Sequence, residues 1–183
     1  APHSFSSNWI YEFPVGKGKR WGSENAVLRW VAGGWQLNGI ATLRSGVPLA
    51  LRTSANTLGN NGGAQRPNYI GGDLGTSGRA QDRLDRFFNV SAFAVPAPYT
   101  YGNVARLASW LRAQSLANLD LALAKNFPIT ERVRVQFRFE TFNTFNRPEF
   151  GLPNTAIGAP AAGVINSQVN TPRDLQFGLK LAF

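Results

Sequence analysis

RVRVQFRFET, the stretch from Arg132 to Thr141, alternates polar and apolar residues position by position. In a β-strand successive side chains point to opposite faces, whereas helical spacing would mix the two sets on one surface. The stretch therefore predicts a β-strand with one apolar face and one charged face. The charged face carries Arg132, Arg134, Arg138 and Glu140.

Four further segments of the chain show the same two-residue period, and each predicts another strand. The predicted strands cover residues 3–13, 35–44, 117–126, 132–142 and 174–183. Segments of about 9–11 residues are long enough to cross a membrane when tilted and are longer than most strands of soluble sheets. A soluble sandwich would show the same alternation, so the period alone leaves a soluble and a membrane sheet open.

The connections between the predicted strands favour the membrane sheet. Those at residues 52–115 and 143–173 are long and rich in Gly, Asn and Pro, whereas the third strand reaches the fourth through a short turn. Because up-and-down strands alternate in direction, the long connections fall on one side, as do the extracellular loops of outer-membrane barrels. We therefore expect an all-β fold of antiparallel, up-and-down transmembrane strands with two long extracellular loops. Short helices are predicted at residues 23–31 and 82–89, the second with Leu84, Phe87 and Phe88 on one face.

Aromatic residues mark one end of the predicted strands. If the chain end is periplasmic, these strand ends are periplasmic too, and aromatic rings belong at that membrane interface. We predict a periplasmic aromatic girdle of Tyr11, Phe13, Trp35 and Phe127. In such a barrel the charged face of the strand predicted at 132–142 would line the lumen. The alternative is that the aromatic residues cap the edge of a soluble sheet.

The composition excludes several kinds of chemistry. The 183 residues include no cysteine and a single histidine, His3, which leaves no disulfide framework and no thiolate metal site. No two of the ten carboxylates have the spacing of a general acid–base pair, and the glycine-lysine segment at 16–19 lacks the remainder of a phosphate-binding loop. Two long uncharged stretches, 87–105 and 150–172, contain prolines that prevent a transmembrane helix. We expect no enzyme activity, no catalytic residue, no metal site and no cofactor.

The formal net charge of +9 is due mostly to arginine. In the connection at 52–115 these arginines could meet anionic lipopolysaccharide or an anionic ligand, or they could be ordinary solvated charge. A soluble basic sheet that binds nucleic acid is an alternative interpretation, but the chain lacks an RNP-type motif, and we expect no nucleic-acid partner. The arginines concerned are Arg52, Arg66, Arg79, Arg83, Arg86, Arg106 and Arg112.

Four stretches of the chain carry a family resemblance. They are YEFPVGKGKR at 11–20, GWQLNGI at 34–40, RFETFNTFN at 138–146 and TPRDLQFGLKLAF at 171–183. Together they resemble the carboxyl-terminal part of Oar-like TonB-dependent receptors, and the resemblance extends over nearly the whole chain. The most specific parts are the second stretch and the Phe-Asn-x-Phe-Asn-x-Pro pattern of the third. The resemblance implies a receptor that binds a scarce nutrient outside the cell and releases it inward when energised by TonB.

The resemblance also implies a location and a set of partners. The chain is expected in the bacterial outer membrane, as the carboxyl-terminal piece of a barrel of about 22 strands with an internal plug. The parent protein of such a piece is expected to carry a carboxypeptidase-regulatory-like domain. The implied partners are membrane lipid and lipopolysaccharide, the remaining barrel and plug, TonB through an amino-terminal part outside this chain, the barrel-assembly machinery, and an unidentified small-molecule or glycan ligand. An adhesive or matrix role of the long loops stays open beside transport. The resemblance makes the final strand the signal for the assembly machinery, with Leu175, Phe177, Leu179, Leu181 and Phe183 as its apolar residues.

Overall fold

The computed structural model describes residues 3–16, 19–21, 26–59, 62 and 65–183. The chain divides into two compact units. The strand unit comprises Ser4–Leu43, Ala117–Arg147 and Thr171–Phe183, and the insertion unit comprises Ala1–His3, Arg44–Leu116 and Pro148–Asn170.

The regular elements are one short α-helix, two 3₁₀ helices and eleven strands in the described part of the chain. In chain order the α-helix and strands are β1 (Ser4–Glu12), α1 (Ala26–Ala32), β2 (Trp35–Arg44), β3 (Pro48–Leu49), β4 (Arg52–Thr53), β5 (Asn68–Tyr69), β6 (Phe93–Ala94), β7 (Ala108–Arg112), β8 (Leu116–Pro128), β9 (Arg134–Phe142), β10 (Ala156–Ile157) and β11 (Asp174–Ala182). The 3₁₀ helices are Ala80–Arg83 and Val90–Ala92.

The five long strands form one sheet in the order β1-β2-β8-β9-β11. β8 pairs antiparallel with β9, and β9 pairs antiparallel with β11. At the other side of the sheet, Phe13 N–H donates to the Trp35 carbonyl at 3.1 Å and Asn126 N–H donates to the Gly34 carbonyl at 3.0 Å. The predicted all-β class with an antiparallel sheet is confirmed.

The register of the sheet separates an apolar from a polar face. Phe139 lies opposite Leu123 on β8 and Phe177 on β11, and the two phenylalanine ring centroids are 5.0 Å apart. Directly opposite residues of antiparallel strands share a face, so these side chains form one apolar surface. Arg138 lies on the other face, opposite Ala124 and Gly178.

A threonine turn joins β8 to β9. Thr130 Oγ1 accepts hydrogen bonds from the backbone N–H groups of Arg132 at 3.3 Å and Val133 at 3.0 Å. Such local hydrogen bonds offer the backbone an alternative to the sheet ladder. β9 therefore begins at Arg134, and Arg132 precedes the strand on which it was predicted.

Both glycines of the GWQLNGI stretch are explained by close contacts in the sheet. Gly34 has a φ of +74°, and a Cβ at this position would lie 2.6 Å from the carbonyl oxygen of Asn126. At Gly39 a Cβ would overlap the indole of Trp9, which packs over the glycine. Residues larger than glycine would push β2 away from β8 at one position and displace an aromatic ring of β1 at the other.

The asparagines of the Phe-Asn-x-Phe-Asn-x-Pro pattern close the long connection that follows β9. Asn143 and Asn146 both have a φ of +50°, a conformation that asparagine tolerates better than most residues. The Asn143 amide Nδ2 donates to the carbonyls of Arg147 at 3.1 Å and Thr171 at 3.2 Å, while its Oδ1 accepts from Arg147 N–H at 2.9 Å. Asn146 Oδ1 accepts from Arg173 N–H at 3.0 Å. These bonds hold the chain just before β11 against the end of β9.

The insertion unit has a hydrophobic core of its own. Phe88, Leu111 and Phe87 are 0%, 0% and 2% exposed, and the Phe88 ring packs edge-on against Phe93 at 5.9 Å. Three pairs of short strands frame this core: β3 with β7, β5 with β6, and β4 with β10. The connections predicted as extracellular loops thus contribute most of a compact folded unit.

The prediction of a helix at residues 82–89 is wrong. The structure has a 3₁₀ helix at Ala80–Arg83, and Phe87 N–H then donates to the distant Gly163 carbonyl at 2.8 Å. This long-range bond replaces the helical hydrogen bond, because burial of Phe87 and Phe88 in the core sets the local backbone. The helix predicted at 23–31 corresponds to α1, with its predicted start at 23–25 outside the described residues.

Substitution of Asn143 separates its conformational role from its hydrogen bonds. We expect Asn143→Gly to lower the free energy of unfolding by about 1–3 kcal/mol, through lost hydrogen bonds alone. Asn143→Ala should cost about 1–2 kcal/mol more, because alanine is strained at positive φ. Urea titration of the folded full-length protein measures the change in unfolding free energy for both variants. Thr171→Ala, at an exposed position, is the control. Equal losses for the glycine and alanine variants would contradict the assigned strain.

Candidate functional site

The apolar face of the sheet carries several large side chains that nothing in the described residues covers. Leu179, Phe177 and Leu181 of β11 are 77%, 68% and 59% exposed. Soluble proteins rarely leave a contiguous apolar area of this kind in water. Other exposed apolar side chains at alternating strand positions are Phe5, Trp9, Tyr11, Leu43 and Leu175, and the terminal Phe183 is also exposed.

The four residues of the predicted girdle lie together at one end of the sheet. The rings of Tyr11 and Phe13 meet edge to face at 5.3 Å, and Phe13 is hydrogen-bonded through its backbone to Trp35. Trp35 and Phe127 both contact Lys125, whose Nζ is 4.8 Å and 4.9 Å from their ring centroids. The structure therefore brings these rings together, and their assignment to the periplasmic side stays a prediction.

Lys125 is the residue that sequence reasoning missed. It lies on the apolar face, opposite Phe137, yet it is only 3% exposed. Its Nζ donates to the carbonyls of Val31 at 2.9 Å and Gly33 at 2.5 Å, at the carboxyl end of α1. The sequence signal was a lysine in the register of the apolar residues of β8.

The ammonium is well matched to this position. The carbonyls at the end of a helix have no partner within the helix and carry the negative end of its dipole. Trp35 Nε1 also donates to the Val31 carbonyl, at 2.9 Å. Together with the two ring faces, these contacts stabilise a charge that would otherwise be costly on an apolar surface.

The predicted lumen-facing residues are only partly brought together. Arg138 Nη2 lies 2.5 Å from Glu140 Oε1, and both residues are on the polar face of β9. Arg134 lies on the same face at the start of β9, opposite Ala182, whereas Arg132 is in the preceding turn. A lumen position for these charges stays a prediction.

The predicted assembly signal lies on β11, which pairs with β9 along its whole length. Leu175, Phe177, Leu179 and Leu181 alternate on its apolar face, and Phe183 follows the strand with 96% of its surface exposed. Recognition of these residues by the assembly machinery stays a prediction.

The arginines of the insertion unit differ in their roles. Arg79 forms an exposed ion pair with Asp82 at 2.8 Å, and this hydrogen bond raises the pKa of Arg79. Arg83 donates to the Phe87 carbonyl at 2.7 Å and lies over the Phe87 ring, and partial burial lowers its pKa. Arg112 donates to the Gly46 carbonyl at 2.9 Å. Side chains exposed to solvent are Arg52, Arg66, Arg86 and Arg106.

An open cavity of about 390 Å³ lies in the insertion unit. Its lining includes Arg52, Ser54, Asn56 and Gln65. Gln65 Oε1 accepts hydrogen bonds from Thr57 N–H at 3.0 Å and from Thr57 Oγ1 at 2.7 Å, so this side chain is held in place. The cavity offers hydrogen-bonding groups and one exposed guanidinium to a polar ligand.

The described residues contain no group of three or more His, Cys, Asp or Glu side chains placed to hold a metal ion. None of the helices in the described ranges has the length and hydropathy that a membrane-spanning helix requires.

Comparison with protein families agrees with the exposed apolar face. The family model described as "Outer membrane beta barrel domain" matches residues 1–176. The chain belongs to this family. A search of curated proteins and a search of solved structures gave no significant match. Membership places the protein in the bacterial outer membrane. Because outer-membrane barrels present an apolar band to lipid, we expect the apolar face of the sheet to be its lipid-facing surface.

Lys125 is a buried cation on the apolar face of the sheet, which we expect to meet lipid. We expect Lys125→Met to lower the free energy of unfolding by about 1–3 kcal/mol, because the Gly33 carbonyl loses its ammonium donor while the side chain keeps its length. Urea titration of the full-length protein in bilayers measures this change.

The matched control is Lys180→Met, which removes an exposed lysine from the polar face of β11. It should change the unfolding free energy by less than about 0.5 kcal/mol. If both variants unfold like the parent protein, the contacts of Lys125 do not stabilise the fold.

Proposed function

We propose that this outer-membrane barrel chain is part of a TonB-dependent receptor that takes up a scarce nutrient. Support comes from the resemblance of four sequence stretches to Oar-like receptors and from the family of the barrel itself. The remaining strands and plug of the receptor, TonB and the barrel-assembly machinery would be its protein partners. The role we propose is binding and transport, without enzymatic chemistry.

The observation that carries the proposal is the folded insertion unit. Flexible loops lose conformational entropy when they bind, whereas a unit with its own core presents its polar groups already in position. Phe88 and Leu111 are completely buried in that core, and the Thr57–Gln65 hydrogen bonds fix one side of the cavity. A cavity with polar groups held by such bonds suits capture of a dilute small molecule or glycan.

The exposed arginines favour ligands or surfaces that carry negative charge. Arg52 lies at the cavity, and its guanidinium matches carboxylate or phosphate groups in geometry. Arg66, Arg86 and Arg106 are exposed elsewhere on the insertion unit, where anionic lipopolysaccharide is a further candidate partner.

An adhesive role is the second candidate. Tyr99 and Tyr101 are 80% and 76% exposed in the insertion unit, and Tyr99 has a φ of +58°. Exposed tyrosines are common in protein interfaces because they offer a large contact area with a polar tip. These residues would contact a matrix or a neighbouring cell.

Uptake measurements distinguish transport from adhesion. A strain that lacks the full-length protein is supplied with iron chelates, cobalamin or oligosaccharides one at a time at limiting concentration. We expect loss of uptake of one solute, restored by the parent gene and abolished when TonB is deleted. Unchanged uptake of every solute together with weaker surface attachment would favour adhesion.

A matched pair of arginine variants tests the cavity. Arg52→Gln should reduce uptake at limiting concentration, because the cavity loses its cation, whereas Arg86→Gln removes an exposed arginine outside the cavity lining and should have no effect. Equal effects of the two variants would show that the cavity is not the capture site.

A further inference from the structure

The contacts of Lys125 fix the position of α1 on the lipid-facing surface. Its ammonium bonds the Val31 and Gly33 carbonyls and thus joins the carboxyl end of α1 to β8. The Trp30 ring packs against Phe127 at a centroid distance of 5.1 Å, which provides a second contact between the same elements. α1 is therefore held at the girdle end of the apolar face.

Three described side chains of α1 are apolar and exposed. Val27, Trp30 and Val31 are 68%, 55% and 53% exposed. Their spacing of i, i+3 and i+4 places them on one side of the helix. This side continues the apolar surface of the sheet beyond Phe127, where tryptophan is favoured at a membrane–water boundary.

The connection that contains α1 is basic. Lys19 and Arg20 are exposed, and Lys19 is paired with Glu12 at 3.0 Å. The sequence of residues 14–34 contributes four basic residues, Lys17, Lys19, Arg20 and Arg29, against the single acid Glu24. Basic residues in the same connection as an exposed apolar helix face match a layer of anionic headgroups.

We propose that α1 is an interfacial helix that lies in the phospholipid headgroup layer of the periplasmic leaflet, held there by Lys125. Val27, Trp30 and Val31 enter the boundary between headgroups and acyl chains, while the basic connection contacts phosphate groups. The partner is the phospholipid surface itself. The inference rests on the outer-membrane family and on the predicted orientation of the girdle, and it does not require transport.

Spin labels at three exposed positions test the proposal in the full-length protein reconstituted in phospholipid bilayers. The single-cysteine variants are Val27→Cys on α1, Leu179→Cys on the lipid-facing surface and Tyr99→Cys in the insertion unit, whose parent side chains are 68%, 77% and 80% exposed. Because exposure is similar, differences in accessibility to oxygen and to a water-soluble nickel complex report the surrounding solvent.

We expect the label at position 27 to be accessible to oxygen. Its accessibility to nickel should be several-fold lower than that of the label at position 99. Its depth in the bilayer should be shallower than that of the label at position 179. Nickel accessibility equal to that of position 99 would overturn the proposal by placing α1 in water. Low accessibility to both reagents would overturn it by showing that another protein segment covers α1.

The role of Lys125 is tested by adding Lys125→Met to the position 27 and position 179 variants. We expect nickel accessibility at 27 to rise towards the value at 99, because α1 loses its ammonium contact, while the label at 179 keeps its depth and shows that the sheet is folded. Lys180→Met is the control and should leave both labels unchanged. An unchanged label at 27 in Lys125→Met would overturn the assigned role of the lysine.

The leaflet is tested in intact cells with a bulky maleimide that does not cross the outer membrane. We expect the cysteine at 99 to react and the cysteine at 27 to react only after the outer membrane is permeabilised. Reaction of the cysteine at 27 in intact cells would place α1 at the lipopolysaccharide leaflet and overturn the assignment to phospholipid.

Discussion

A peptide group in hydrocarbon finds no water to bond, so each strand must satisfy its backbone from its neighbours. β8 and β9 each have a neighbouring strand on both sides and so meet this requirement, and their antiparallel register at the same time sorts the side chains into two faces. Phe139 lies between Leu123 and Phe177, while Arg138 lies between Ala124 and Gly178. A slip by a single residue would exchange the faces and turn Arg138 to lipid. In the outer membrane the requirement for backbone hydrogen bonds therefore also fixes the register of the strands.

This constraint explains why the long strands could be predicted from sequence. An apolar environment on one side of the sheet demands apolar residues at every second position. This gives a readable signal even in β2, where the alternation is weaker, with the range 35–44 predicted and Trp35–Arg44 found. The strand ends follow other rules. β8 continues to Pro128, and Thr130 then delays β9 until Arg134 through bonds to the backbone. A two-residue period holds no information about such local hydrogen bonds.

The insertion unit and Lys125 depend on contacts that no local pattern reveals. Phe87 and Phe88 are adjacent and both buried in the core, and the Phe87 N–H bonds the Gly163 carbonyl. A helix with these residues on one face was the local expectation, and long-range packing overrides it. Likewise, a lysine in an apolar register is unfavourable until the carbonyls of Val31 and Gly33, far away in the chain, are placed beside it. The sequence shows that a lysine stands at an apolar position of β8, but it does not show which carbonyls stabilise that lysine.

The two ends of the sheet are stabilised by different chemistry. After β9 the chain makes a long excursion, so its return before β11 is secured by the amide of Asn143, which bonds the Thr171 carbonyl directly. At the girdle end the connection that contains α1 turns back onto the lipid-facing surface. Without a donor, the carbonyls at the end of α1 would lie unpaired against hydrocarbon. Lys125 of β8 supplies a charged donor at the end of a long apolar side chain. The ammonium lies over the rings of Trp35 and Phe127 and bonds the carbonyls of Val31 and Gly33, so one side chain meets both the apolar and the polar demands of a membrane boundary.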